Sequence, residues 1–186
     1  MKRPVITPLD PDRYQRTPWK NGGGVTTDIA FDGDVWRFSR TPITVAGPFS
    51  DYSGFDRQQV LVAGSGLVLQ TPTGEIDVRR PFRPVRFTGE TPIVSRLEAG
   101  PVEVINLMGE RCKVRINLAV LEAGRSQHLG KGIHIAYCPR GRATLRLAHE
   151  THDLPADGGF RIEDVDGVAS CSAGLIVLGS IACVSP

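Results

Sequence analysis

Cysteine is sparse in this chain and never paired along the sequence. Cys112, Cys138, Cys171 and Cys183 stand far apart, with no CxxC and no Cys/His cluster. That excludes a zinc-finger module and a vicinal redox dithiol, and it predicts reduced, largely buried thiols in a cytoplasmic protein. Long apolar runs are absent too: no stretch approaches the roughly 18 residues of a membrane span. The N-terminal MKRPVITPLDPDRYQRTPWKNGGG has no apolar h-region, so no signal peptide is expected. Charge of one sign is never concentrated. With a net charge of +2 and no Lys/Arg run or basic-aromatic stripe, neither a nucleic-acid face nor a membrane-surface face is expected. Nor does any window of ten or more residues carry a 3.6-residue apolar stripe, which argues against helices.

What remains is a pattern of strands. The 186 residues suffice for one large domain or two small fused ones. The 21 glycines and 14 prolines are spread evenly along the chain, which reads as many turns. Val35–Arg40 alternates apolar and polar residues as a half-buried strand does. Val60–Ala63 and Leu67–Gln70 flank Gly64-Ser65-Gly66 and read as a hairpin closed by a glycine turn. Further candidate strands are Glu75–Arg79, Ile93–Leu97, Val102–Met108, Val114–Val120, Gly132–Cys138, Ala143–Ala148, Phe160–Glu163 and Leu175–Leu178. Strands this short and this regularly punctuated predict an all-β barrel or sandwich.

The segment Gly47–Gly66, GPFSDYSGFDRQQVLVAGSG, is the most specific stretch. It resembles the first motif of the cupins, jelly-roll barrels of the RmlC-like kind, in which G-x5-H-x-H-x3–4-E-x6-G places metal ligands on neighbouring strands. The glycines fall in register here, but the ligand positions read Ser53, Phe55 and Gln59. A divalent metal needs imidazole, thiolate or carboxylate donors, so no metal is expected in this lobe. Arg57 lies an even offset from Phe55, hence on the same strand face, and in a cupin frame that face is the interior. Two readings of Arg57 follow: a clamp on a ligand carboxylate, or an internal pair with Asp56, Asp51 or Glu103.

The same frame echoes faintly downstream. Counting back from Gly141, the positions of Ser53, Phe55 and Gln59 land on His128, Gly130 and His134. This predicts two fused cupin-like lobes, residues 1–111 with the ligand pocket and residues 112–186. His128 and His134 have no carboxylate at the matching offset to complete a metal site. His149 and His152 flank a turn and make a weaker case.

Four segments occur in order: WKNGGGVTTDIA at Trp19–Ala30, VWRFS at Val35–Ser39, GPFSDYSGFDR at Gly47–Arg57 and VINLMGER at Val104–Arg111. Together they resemble the HutD/Ves family of bacterial bicupins. The resemblance implies a two-lobed cupin fold and a cytoplasmic location. For the HutD branch it implies an association with histidine utilisation: binding an intermediate such as urocanate or formylglutamate and restraining flux, without established catalysis. Ves-type members are linked to stress and cold responses.

The residues themselves point the same way. Lys20-Asn21-Gly22-Gly23-Gly24 could present backbone N–H groups as an anion nest or serve only as a glycine-rich entry to a strand, with Trp19 in a packing role. Asn106 and Met108 share one strand face, offering an amide and a soft apolar wall. Trp36 and Phe38 read as core, and Arg37 and Ser39 join the polar set if their face looks inward. The expected site is therefore Arg57, Lys20, Asn21, Asn106, Met108 and Phe55, binding a small carboxylate without a cofactor. A homodimer through edge strands is left open. An enzyme is the alternative, either metal-dependent through His128 and His134 or a metal-free isomerase or lyase. No Ser-His-Asp order, paired catalytic carboxylates or cofactor motif supports it.

Overall fold

The computed structural model describes residues 4–19 and 24–184. Among these there is no α-helix, only a 3-10 turn at Pro11–Arg13, so no helix is long and apolar enough to cross a membrane. The strands are β1 (Val5–Leu9), β2 (Gln15–Pro18), β3 (Val25–Asp32), β4 (Trp36–Ile43), β5 (Gly47–Pro48), β6 (Phe55–Ala63), β7 (Leu67–Thr71), β8 (Gly74–Val78), β9 (Val85–Thr88), β10 (Val94–Leu97) and β11 (Val102–Glu110). They continue as β12 (Val114–Glu122), β13 (Ser126–Leu129), β14 (Ile133–Tyr137), β15 (Arg142–Leu147), β16 (Glu150–Pro155), β17 (Gly159–Glu163), β18 (Gly167–Ala173) and β19 (Leu175–Cys183).

Contacts divide the chain into two compact units. One runs from Tyr14 to Val114; the other joins the N-terminal segment through Arg13 to the chain from Arg115 onward. The first unit contains sheets of order β2-β3-β4-β11-β6-β9 and β5-β10-β7-β8. The second contains β1-β17-β14-β19-β12 and β13-β18-β15-β16. Shifting every number by eight maps β4-β11-β6-β9 onto β12-β19-β14-β17 and β5-β10-β7-β8 onto β13-β18-β15-β16. Each unit is a jelly-roll cupin lobe.

Two sequence expectations need correction. The N-terminal segment, expected in the first lobe, supplies β1, which pairs antiparallel with β17 from Val5 opposite Glu163 to Leu9 opposite Gly159. Local periodicity carries no information about a partner so distant in sequence. Second, β6 and β7 do not form a hairpin: β6 lies in one sheet and β7 in the other. Gly64 and Gly66, with φ of 75° and 81°, turn the chain across the lobe. A Cβ on Gly64 would meet the Pro101 carbonyl oxygen at 2.4 Å, so the turn admits only glycine.

The first lobe's core lies between its two sheets, built from Ile43, Leu61, Leu67, Leu69, Val78 and Val104 with Trp19 and Phe49 packed against it. In the second lobe the corresponding cluster includes Leu129, Ala136, Leu145, Leu154, Ile162 and Leu178. All four cysteines are free. Cys138 and Cys171 are buried there, where burial pushes both thiols up. Cys112 and Cys183 are exposed, contrary to the expectation that the thiols are largely buried.

Candidate functional site

Antiparallel register aligns side chains from neighbouring strands on one face. Arg37 on β4 stands opposite Met108 on β11, which stands opposite Arg57 on β6, which stands opposite Phe87 on β9. The next row reads Ser39, Asn106, Gln59 and Val85. The inner face of the first lobe's larger sheet thus carries a polar patch where a core would ordinarily be apolar. Over it lies a cavity of about 90 Å³, lined by Arg37, Ser39, Arg57, Gln59, Asn106 and Met108 on the sheet side and by Phe49, Ser50 and Tyr52 from the loop before β6. Arg37 and Ser39 join the polar set, so Trp36 and Phe38, buried at 2% and 0% exposure, face away from the cavity.

Arg57 is the centre of the arrangement. Its guanidinium sits 5.3 Å from the Phe49 ring centroid, 5.4 Å from Tyr52 and 5.0 Å from Phe87, and three aromatic faces offset part of its lost hydration. Nη2 donates to Asn106 Oδ1 at 3.2 Å, whereas Nε is buried without a hydrogen-bond partner among the described residues. Burial pushes Arg57 down to about 10, still a cation at neutral pH, with Tyr52 opposing the shift. The carboxylates that could have neutralised it are engaged elsewhere. Asp56 accepts from Arg111 at 2.7 Å, Glu103 is clamped by Arg40, and Asp51 accepts the Ser53 hydroxyl at 2.8 Å. Among the described residues no carboxylate pairs with Arg57.

The aromatic loop is firmly held. Phe49 N donates to Ile93 O at 2.9 Å and Tyr52 N to Gly89 O at 3.0 Å. A Cβ on Gly89 would meet the Tyr52 carbonyl oxygen at 2.1 Å, so glycine is required where that backbone passes. On the other side, Trp19 Nε1 donates to Thr26 Oγ1 at 2.9 Å, and Thr26 shares a 3.1 Å hydroxyl contact with Thr41. Trp19 therefore packs, as its sequence setting suggested, and also forms wall.

Of the site residues expected from sequence, the fold brings Arg57, Asn106 and Met108 together. Lys20 and Asn21 lie outside the described residues. Phe55 is not in the cavity wall: it starts β6 opposite Glu110, one row beyond Arg57, and packs edge-on against Tyr52 at 6.2 Å. Parity placed its face correctly, but the cavity ends before it. Gln59, which the sequence marks only as a position without a metal ligand, is 2% exposed, lines the cavity and leaves Oε1 without a partner among the described residues. Phe49, Tyr52 and Phe87 were missed, because a loop and a strand distant in sequence bring them in.

The two histidines weighed as metal ligands, His134 and His128, are engaged separately. His134 touches Ser180 Oγ through Nδ1 and Gly130 O through Nε2, both at 2.9 Å. The carbonyl requires a proton on Nε2, which leaves Nδ1 to accept from the serine. Desolvation holds His134 below the ordinary histidine value, opposed by the Gly130 contact. His128 lies in the other sheet, 3.2 Å from Asp166. Among the described residues no three His, Cys, Asp or Glu side chains gather as metal ligands.

Fold and site together define a two-lobed cupin whose first lobe holds an arginine-centred cavity. A crystal structure of a conserved protein of unknown function from Pseudomonas aeruginosa PAO1 superposes with a TM-score of 0.85 at 22% identity, covering 97% of this chain and 100% of the other. HutD from Pseudomonas fluorescens SBW25, crystallised in a formate condition, gives 0.83 at 23% identity over the same shares. A 21.2 kDa protein of Pseudomonas putida, described as uncharacterised and lying in the hutC 3′ region, is 34% identical over 101 residues. That match spans 51% of this chain and 53% of the relative. The HutD family model matches residues 11–174. The chain belongs to the HutD family.

Proposed function

We propose that the first lobe binds a small carboxylate, with urocanate and formylglutamate as the candidates, and that the bound state tunes histidine utilisation in the cytoplasm. The observation that carries this reading is Arg57. A cation buried among three aromatic rings, with Nε unpartnered and every nearby carboxylate committed elsewhere, costs several kcal/mol to maintain unless an anion completes it. Asn106 accepts one hydrogen bond from the guanidinium, and Arg57 lines the cavity from which a partner can reach it. Charge-assisted hydrogen bonds of about 1.5–3 kcal/mol each supply part of the affinity, and the amides and hydroxyls of the wall supply the rest.

A ligand that binds only the folded protein stabilises it by mass action, by about 2.7 kcal/mol at a hundred times its dissociation constant. Urocanate or formylglutamate is therefore expected to raise the melting temperature in a thermal-shift titration, and Arg57→Ala to abolish the rise. A shift that survives in Arg57→Ala removes the clamp, and no shift with either compound removes the proposed ligands.

A further inference from the structure

Arg111 ends the motif Val104–Arg111, yet it lies outside the cavity wall. It follows β11 directly, and its side chain is 38% exposed. Its guanidinium nevertheless ties distant parts of the first lobe together. Nε donates to Asp56 Oδ1 at 2.7 Å, and Nη2 donates to the Phe55 carbonyl oxygen at 3.0 Å. Nη1 and Nη2 also reach the two carboxylate oxygens of Glu90, in the turn between β9 and β10, at 3.0 and 3.1 Å. The backbone reinforces the junction: Arg111 N donates to Gly54 O at 2.9 Å, and Gly89 N to Phe55 O at 2.7 Å. The Arg111 hydrogen bonds hold the Glu90 carboxyl below the usual carboxylate range.

Two of the tied segments carry rings of the Arg57 enclosure. Gly54 and Phe55 end the loop that bears Tyr52, and Phe55 N donates to Tyr52 O at 3.1 Å. Glu90 stands just past Phe87, on the chain leaving the strand that pairs with β6. A planar fork that satisfies two carboxylates and a carbonyl at once fixes geometry, whereas exposed ion pairs add little to global stability. We propose that Arg111 is a positioning residue for the Arg57 site. From outside the cavity it holds the Tyr52 loop and the Phe87 strand over the buried guanidinium. The consequence for binding rests on the reading that Arg57 receives the ligand. Rings that exclude water leave the guanidinium in a drier setting, where contact with an anion is stronger. Slackening the junction admits water and weakens that contact.

Nuclear magnetic resonance of the ligand-free protein tests the positioning directly. The Arg57 Nε–H resonance is displaced by the ring currents around it from the position of a solvated arginine. Arg111→Gln is expected to move it toward that position, as Tyr52→Leu does, while the melting temperature falls by only about 2–4 °C. Arg111→Lys is expected to move it as well, since an ammonium cannot span both carboxylates and the carbonyl. Glu90→Gln cuts the β9–β10 arm alone and is expected to shift the resonance in the same direction, which covers poor folding of Arg111→Gln. In acetate titrations, affinity is expected to fall about fivefold in Arg111→Gln or Tyr52→Leu and no further in the double variant. An Arg57 resonance unmoved in Arg111→Gln and Glu90→Gln, or at its wild-type position in Arg111→Lys, overturns the proposal. So do losses of acetate affinity that multiply in the double variant. If the resonance moves but acetate fails to bind even the wild-type protein, the positioning role stands and the carboxylate reading falls.

Discussion

In the second lobe the row across β17, β14 and β19 reads Ile162, His134 and Ser180; in the first, the matching row across β9, β6 and β11 reads Val85, Gln59 and Asn106. Both rows put polar groups on the interior face of the same strand order. In the second lobe those groups satisfy one another. His134 uses both ring nitrogens, and around it Leu129, Leu145 and Leu178 close an apolar core at 0% exposure. In the first lobe they do not: Gln59 Oε1 and, one row away, Arg57 Nε are buried and unpaired among the described residues. One frame can therefore satisfy its inward polar groups internally or leave them unpaired around a cavity, and the difference lies in a few inward positions.

The comparison breaks most severely if a charge is tolerated in the second lobe as it is in the first. Leu178→Arg puts an unpaired cation at a fully buried position of the second lobe's apolar cluster. A loss of about 4 kcal/mol or more is expected, read as collapse of the cooperative unfolding transition by circular dichroism. The converse change sharpens the contrast. Arg57→Met replaces the buried charge by an apolar chain of similar length, and the ligand-free protein is expected to gain about 1 kcal/mol in urea unfolding. If it is instead destabilised, Arg57 is a structural strut. The smallest effect concerns His134. Its folded value lies below the unfolded value of about 6.5, so the unfolded chain binds the extra proton first. Stability is then full above that pH and falls as pH drops through it, by at most about 1.4 kcal/mol per unit for one proton. His134→Gln is expected to flatten this part of the pH profile.

Much of the fold was legible because strand alternation and turn residues are local. Val102–Met108, for example, was placed within two residues of the observed end of β11. The site was legible where a missing feature left a trace: phenylalanine and glutamine at ligand positions singled out Arg57's neighbourhood, and strand parity brought Asn106 and Met108 to its face. The aromatic enclosure was not, since Phe49 and Tyr52 come from a loop and Phe87 from β9, and only register and tertiary hydrogen bonds bring them over the guanidinium. For the same reason the assumption that Gly64–Gly66 closes a hairpin failed. A glycine turn shows that the chain reverses, but not which sheet receives it.

The pairing of β1 with β17 also orders events in time. The first lobe is one continuous stretch, so all its strands are available once the chain through Val114 has emerged from the ribosome. Val5–Leu9 waits without its partner strand until Glu163 has been made, and the second lobe cannot complete its larger sheet until β19 follows, through Cys183. The lobe with the arginine-centred cavity can thus form first, and β1 is among the last strands to find its place.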